Sequence, residues 1–461
     1  MFIDKRSLFA AIVTTLLPVS QAQIPSPYSG VNPWWNAGDG TVFPQTVDWD
    51  NPNGQLRTLI VTGDITTQDH PFFTALGTNG RACVTCHQPV NGMSVGTALL
   101  QRRWRETQGQ DPVFAAIDGS NCPDQPQDQM SSHSLLLNRG LFRVAIPWPP
   151  VASDGTPIQP DFQIAVVSDP TGCNGSPLYG LNAQRPAISV YRRPRVAANL
   201  RYLNGVNGMA LMADGRETTL ESQAMSAALG HEQASAPLSS DQLAQIVRFE
   251  MQVFASQNWD ILGGPLDDPG GPPSLGVDNL ATGAAGADVV PDSASGFYNW
   301  PNVPGLALLQ QPFRQSVARG VTLFFSRQFH LPGGVMGTCA SCHQPSPPQA
   351  VDVGTTNLPA AKNSPELPLF QITCNSGANP HPVLGSVFLT QDPGRALITG
   401  KCADAGAILA QQFRGLAARA PYFSNGSAAT LGELVDFYDQ RFSIGLSAQE
   451  KSDLANLLSI F

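Results

Sequence analysis

Two Cys-x-x-Cys-His motifs stand out in the chain, one running from Cys83 to His87 and the other from Cys339 to His343. At this spacing two thiols can add to the two vinyl groups of one haem, while the adjacent histidine reaches the iron. The sequence therefore predicts two covalently bound c-type haems, with His87 and His343 as the proximal iron ligands. The predicted attachment residues are Cys83, Cys86, Cys339 and Cys342.

Zinc sites and redox dithiols also use paired cysteines, and the sequence favours neither of them. A structural zinc site needs four ligands, and the chain has no further Cys-x-x-Cys pair to complete one. A thioredoxin-type dithiol belongs to a βαβ pattern, which is not found around either motif. Haem attachment is therefore the interpretation that we favour.

Four further cysteines remain, two in each half of the chain. Four thiols allow three pairings, and locality alone favours Cys122 with Cys173 and Cys374 with Cys402. We therefore predict one disulfide in each half, where it would brace long loops.

The composition predicts a loop-rich globular protein. A chain of 461 residues suggests two or three domains. Only 13% of the residues are charged, against 43 glycines and 40 prolines, so limited regular structure is expected. The net charge of -9, without basic runs, argues against a nucleic-acid partner.

The N-terminal residues 1–22 have the pattern of a signal peptide. Lys5 and Arg6 precede an apolar stretch from Leu8 to Leu17, and small residues around Ala22 mark a cleavage site. The stretch is shorter than the roughly 18 apolar residues that span a bilayer, and no later segment is apolar enough to span one. We therefore expect a periplasmic or secreted protein.

The two halves of the chain share an order of features, which predicts an internal duplication. Each haem motif continues with Gln-Pro and is followed later by a Thr-Leu pair and a Leu-Ser pair, each opening a helix. The expected domains are a first haem domain at 23–262, a Gly/Pro/Ala-rich linker at 263–296 and a second haem domain at 297–461. Three Ser/Thr-x-x-Glu pairs predict helix caps, namely Thr218 with Glu221, Thr430 with Glu433, and Ser447 with Glu450.

Beyond the haem motifs, the segments 214–224 and 420–427 make the chain resemble the bacterial di-haem cytochrome c peroxidase family. That family includes the enzymes that mature methylamine dehydrogenase and, more distantly, di-haem rubber oxygenases. The resemblance implies a mainly α fold with extensive loops, in which two cytochrome c-like domains hold haems that face their interface. It also implies a catalytic haem in the first half, an electron-transfer haem in the second, and a calcium ion at the interface, whose ligands the sequence does not place.

The resemblance also implies roles for individual residues. Motif position assigns Gln223 and Glu232 to the open face of the catalytic haem, where proton transfer is needed, although both could instead lie on a solvated helix face. Tyr438 occupies the position of the sixth ligand to the second haem, although a buried tyrosine is more often a core residue. Two positions depart from the family pattern: Ala213 replaces a tryptophan that bridges the haems, and Ser424 replaces a histidine.

The function expected from these features is reduction of hydrogen peroxide at the N-terminal haem. Electrons would pass through the C-terminal haem from an external donor such as a small cytochrome or a cupredoxin. Two alternatives stay open, namely oxidation of an organic or protein substrate with peroxide or O2, and a non-catalytic di-haem electron carrier. A homodimer also stays open.

Overall fold

The structure is a computed structural model that describes residues 33–152, 155–202, 210–283, 295–331, 334–342, 350–352 and 364–461. The predicted signal peptide at 1–22 and the predicted ligand His343 lie outside the described residues.

Short helices are distributed along the described chain. The α-helices are α1 Cys83–Cys86, α2 Thr97–Thr107, α3 Ala116–Gly119, α4 Ser134–Arg139, α5 Leu220–Gly230, α6 Ser240–Glu250, α7 Val277–Thr282, α8 Ser295–Asn299, α9 Gln310–Ser326, α10 Ala396–Thr399, α11 Leu431–Phe442 and α12 Ala448–Ser459. Single 3-10 turns form at Pro89–Asn91, Pro112–Phe114, Met130–His133, Leu200–Tyr202, Trp300–Asn302, Cys339–Ser341, Cys402–Asp404 and Leu416–Ala418.

Strands alternate with these helices. They are β1 Val42–Phe43, β2 Thr46–Asn51, β3 Gly54–Ile60, β4 Ile65–Thr66, β5 Phe142–Pro147, β6 Phe162–Ser168, β7 Ala187–Arg192, β8 Val253–Asp260, β9 Gly264–Pro265, β10 Phe329–His330, β11 Met336–Gly337, β12 Ala350–Asp352, β13 Leu369–Cys374, β14 Val387–Thr390 and β15 Ala407–Leu409. They form sheets in the orders β1-β4, β10-β11, β12-β15, β14-β13-β6, β2-β3-β8-β9 and β5-β7.

The expectation of a mainly helical fold built from two cytochrome c-like domains is wrong. Among the described residues 33% are helical and 19% lie in strands, so the fold is mixed. The β2–β3 hairpin shows the physical reason, because the residues of β3 alternate between buried and half-buried along the strand. An alternating stretch that follows an Asn-Gly pair forms a hairpin rather than a helix.

Two sheets join parts of the chain that are far apart in sequence. In the four-stranded sheet, β3 pairs antiparallel with β8, with Leu59 opposite Phe254. In the three-stranded sheet, β6 pairs antiparallel with β13, with Ile164 opposite Ile372. Strands from before and after the segment 263–296 therefore share a sheet.

The helix caps follow the sequence pattern closely. Thr430 caps α11 and Ser447 caps α12, each accepting a hydrogen bond from the backbone N–H of the glutamate three residues later, as predicted. The cap of α5 is Thr219 rather than Thr218, and its box partner is Ser222 rather than Glu221. In a Thr-Thr pair, both side chains can serve as a cap, and the sequence alone did not decide between them.

Both predicted disulfides are present. Cys122 is bonded to Cys173 and Cys374 to Cys402, while the four cysteines of the haem motifs are free. Disulfides persist in oxidising compartments, which agrees with the expected export but does not identify the compartment.

Hydrophobic residues of the described chain pack into several cores. One core includes Trp300, Phe313 and Leu457, and it places α9 against α12. Another includes Phe72, Phe73 and Phe249, and it lies beside α1. None of the described helices is both long enough and apolar enough to cross a membrane.

Candidate haem-binding sites

The first Cys-x-x-Cys-His motif lies on the wall of a large cavity. Cys83, Cys86 and His87 all line it. Its empty volume, including the open solvent at its mouth, is about 1500 Å³. Side chains from α1, α5 and α6 and from the segments 192–197 and 410–412 form its walls.

A buried arginine fixes the position of the motif. The guanidinium of Arg81 is almost fully enclosed and donates hydrogen bonds to the backbone carbonyls of Pro112, Val113, Ala115 and His231. Since Arg81 directly precedes α1, these bonds tie the motif to the turn at 112–115 and to the end of α5. These two groups of hydrogen bonds thus fix the part of the cavity wall that carries the motif.

His87 is oriented as a metal ligand would be. Its Nδ1 lies 3.1 Å from the carbonyl oxygen of Met93, so Nδ1 carries the proton and donates it. That tautomer leaves the lone pair on Nε2, the arrangement common among metal-ligating histidines. Burial lowers the pKa of His87, which keeps the imidazole neutral.

The two thiols of the first motif are neutral. Burial raises the pKa of Cys86 to about 12, and burial together with the charges of Glu232 and Glu250 raises that of Cys83 well above its ordinary value. Reactive dithiols depend on a lowered thiol pKa, so this environment does not favour the redox alternative. In the described part of the chain, no group of three or more His, Cys, Asp or Glu side chains is placed to hold a metal ion. The expected calcium ion therefore has no such ligand group there.

Glu232 lies in the first cavity, where motif position had assigned it. The side chain is only 3% exposed. Its Oε1 accepts a hydrogen bond from the Sγ of Cys83 at 3.3 Å and its Oε2 accepts one from the backbone N–H of Leu76 at 3.2 Å. Burial raises the pKa of Glu232 to about 7. A carboxyl group with this pKa can both give and take a proton at neutral pH.

Helix α5 directs one face toward the same cavity. Gln223, Ala227 and His231 follow one another at intervals of four residues, and all three line the cavity. The Nδ1 of His231 lies 2.7 Å from Oδ2 of Asp118. The helix therefore brings Gln223 and Glu232 into the cavity of Cys83, which motif position alone did not establish.

Sequence reasoning missed Glu250, which also lines the first cavity. It is 4% exposed, and its Oε2 makes no hydrogen bond with any described residue. Burial, and then the charge of Glu221, raises the pKa of Glu250 to about 8. The sequence did contain a sign that Glu250 is buried. Glu250 follows the buried Ile246 by one helical turn and therefore lies on the apolar face of α6.

The second motif lines a different cavity of about 1490 Å³. Cys339 and Cys342 lie on its wall, and burial raises the pKa of Cys339 to about 11. Most of the other lining residues are apolar, among them Phe324, Phe329 and Leu331. The second cavity therefore offers an apolar site, whereas the first contains buried carboxyl groups.

Tyr438 lies in the second cavity. It stands on the face of α11 that also carries Leu434, Val435 and Phe442, all of which line the cavity. Its ring stacks on that of Phe442 with centroids 6.1 Å apart, and burial raises the pKa of its hydroxyl. Within the described residues the hydroxyl of Tyr438 makes no hydrogen bond, so it does not have the backbone partner of an ordinary core tyrosine.

The two cavities share a wall. Arg193, Pro194 and Ala213 line both of them, and so does the segment 410–412. The guanidinium of Arg193 donates hydrogen bonds to the backbone carbonyls of Val95, Arg139 and Arg419. The shared wall is therefore bonded to segments from the first and from the second half of the chain. The small Ala213 thus occupies a place between the cavities.

The Asp-Gly-Arg turn beside this wall is locked by ion pairs. Asp214 Oδ2 lies 2.5 Å from Arg192 and 2.7 Å from Arg216, and Arg192 also binds Asp392 through two hydrogen bonds. Although burial raises the pKa of Asp214, the two arginines hold it below its ordinary value. Gly215 has a φ of +68°, and a Cβ there would lie 2.8 Å from Arg395 Nη1, so the turn favours glycine.

Comparison with known proteins adds little to this description. No known protein family matches the sequence, and no curated protein matches it either. A solved structure described as the crystal structure of a MauG-like protein associated with microbial copper homeostasis is 19% identical, with a TM-score of 0.32 over 59% of this chain and 74% of that one. At that TM-score the likeness carries no argument about fold or function.

Proposed function

We propose that the chain is a di-haem c-type oxidoreductase that reduces hydrogen peroxide. Cys83, Cys86 and His87 would hold one haem in the first cavity, and Cys339 and Cys342 would hold the other in the second, with His343 as its proximal ligand. One observation carries this proposal: the free thiols of each motif lie on the wall of a cavity, one cavity for each motif. His87 lines the first cavity, and the proton on its Nδ1 leaves the lone pair on Nε2, which fits the same group.

The first cavity is the better place for chemistry. A bound haem would supply an iron that takes up peroxide and passes electrons to it. Glu232 would accept a proton from peroxide and return it to the departing oxygen, for which a pKa of about 7 is well suited. Gln223 would orient peroxide or water through its side-chain amide. A simple electron carrier has no use for such groups, and this is why we favour the enzyme.

The second cavity would serve electron transfer. Its apolar lining would hold a haem, and the hydroxyl of Tyr438 would be a ligand to the iron. A phenolate ligand favours Fe(III). Electrons would arrive from an external donor such as a small cytochrome or a cupredoxin and would cross the wall that both cavities share.

The decisive experiment is the intact mass of protein made in a host that ligates haem, followed by peroxide titration of the half-reduced form. We expect two bound haems in the wild type. The Cys83→Ser/Cys86→Ser and Cys339→Ser/Cys342→Ser variants should each lose one, and the matched disulfide variant Cys374→Ser/Cys402→Ser should keep both. Fewer than two haems in the wild type would refute the proposal. A protein that binds two haems but does not react with peroxide would support the alternative of a non-catalytic electron carrier.

A further inference from the structure

Glu250 occupies an unusual place for a carboxyl group. It stands at the end of α6, lines the first cavity and is 4% exposed, and its Oε2 has no hydrogen-bond partner among the described residues. Burying a carboxyl group without partners is unfavourable, and the neutral form reduces this cost. The site thus keeps a proton in the cavity at neutral pH, since the pKa of Glu250 is about 8.

Glu250 and Glu232 lie near the same attachment residue. The charges of both carboxyl groups act on the thiol of Cys83, and Glu232 is in hydrogen-bond contact with it. The other charged group that acts on Glu250 is Glu221 of α5, the helix packed against α6. Glu221 is exposed, and its negative charge adds to the effect of burial in raising the pKa of Glu250.

We propose that Glu250 is a second proton-carrying catalytic residue of the first cavity and acts together with Glu232. This inference rests on the proposed function. Reduction of one peroxide molecule to two water molecules consumes two protons and two electrons, as its O–O bond breaks and two O–H bonds form. The external one-electron donor supplies the electrons in two steps, and Glu232 and Glu250 supply the protons. Both carboxylates then take up protons from water.

The test is the rate of peroxide reduction by the di-haem protein between pH 6 and pH 9, measured in the Glu250→Gln variant. Glutamine keeps the shape and cannot donate a proton from a titrating group, so the rate should fall at least about tenfold. Glu250→Asp keeps the acid and should recover part of the rate. Asp260→Asn is the matched control, because Asp260 is a buried carboxyl with a raised pKa that does not line the cavity, and its rate should not change.

An infrared measurement gives a second readout that does not depend on turnover. The wild-type di-haem protein at pH 6.5 should show protonated-carboxyl absorption, to which Glu232 also contributes. Glu250→Gln should remove one component of that absorption, and Asp260→Asn should leave that component in place. A reactive wild type whose rate, pH profile and carboxyl band are all unchanged in Glu250→Gln would overturn the inference. A wild type with two haems that does not react with peroxide would instead refute the proposed function, and this inference with it.

Discussion

The Sγ of Cys83 lies 3.3 Å from Oε1 of Glu232, although 149 residues separate them along the chain. A thiol donates a hydrogen bond, but the thioether formed by haem attachment does not. Attachment would therefore release one oxygen of Glu232 inside the first cavity. The same reaction that fixes the haem would free the carboxyl group that is to handle protons.

Glu232→Gln should slow the reaction with peroxide by about tenfold or more, since general acid–base groups typically contribute at least that much. The rate is measured by stopped-flow spectroscopy of the half-reduced di-haem protein. Glu366→Gln is the control, because Glu366 is exposed and forms a surface ion pair with Arg139. Equal rates in the wild type and in Glu232→Gln would remove Glu232 from the mechanism.

The stability of the folded chain should fall as pH rises through the neutral range. Glu232 and Glu250 have pKa values of about 7 and 8 when folded, against an ordinary value of 4.5. The folded chain therefore holds protons that the unfolded chain releases above pH 4.5, and the free energy of unfolding decreases from there up to about pH 8. Since each pKa unit corresponds to about 1.4 kcal/mol, the raised pKa values correspond to a loss of about 3 kcal/mol for Glu232 and about 5 kcal/mol for Glu250.

Thermal unfolding between pH 5 and pH 8.5 measures this dependence. Glu250→Gln should flatten the curve between pH 5 and pH 8, and Glu366→Gln should leave it as in the wild type. An equally steep curve in Glu250→Gln would show that this carboxyl group is already ionised at neutral pH.

Tyr438→Phe should change the absorption and EPR spectra of the second haem and leave those of the first unaltered. The phenol hydroxyl is the only group removed, and it is the group that faces the second cavity without a hydrogen bond among the described residues. Tyr422→Phe provides a comparison, because Tyr422 lines the same cavity but its hydroxyl donates to the carbonyl of Leu416. Identical spectra for Tyr438→Phe and the wild type would exclude Tyr438 as a ligand.

Asp214→Asn should destabilise the protein by about 3 kcal/mol or more, since removing one member of a buried ion-pair network leaves an uncompensated charge. Arg192 would keep Asp392, but Arg216 would lose its carboxylate. The free energy of unfolding in denaturant is the measurement. Asp48→Asn, which removes an exposed pair with Arg57, should cost no more than about 1 kcal/mol. Similar losses for both variants would show that burial adds nothing to the Asp214 network.

Local sequence signals predicted part of this molecule correctly. The spacing of Cys122, Cys173, Cys374 and Cys402 predicted both disulfides by locality, and Ser447 was predicted as a cap because its partner lies three residues away. The cap joins residues three positions apart, and each disulfide joins two cysteines of the same half of the chain. Motif position assigned Glu232 to the first haem, and Glu232 lines the same cavity as Cys83, but its role stays a prediction.

Other features depend on distant neighbours and could not be predicted in this way. The mixed fold arises from pairings such as β6 with β13, which no local pattern specifies. The role proposed for Glu250 depends on the cavity that it shares with residues of α1 and α5, and the sequence of α6 alone does not reveal that cavity. The shared wall at 410–412 likewise combines segments that only tertiary structure brings together.

That shared wall has a consequence for biogenesis. The segment 410–412 forms part of the wall of the first cavity, but it is synthesised long after Cys83 and Cys86. A nascent chain emerging N-terminus first therefore presents its first motif with one side still open. If haem is attached as proposed, the attaching enzyme would reach the first motif most easily before the segment 410–412 packs beside it. After that segment has packed, the bound haem would be covered on that side.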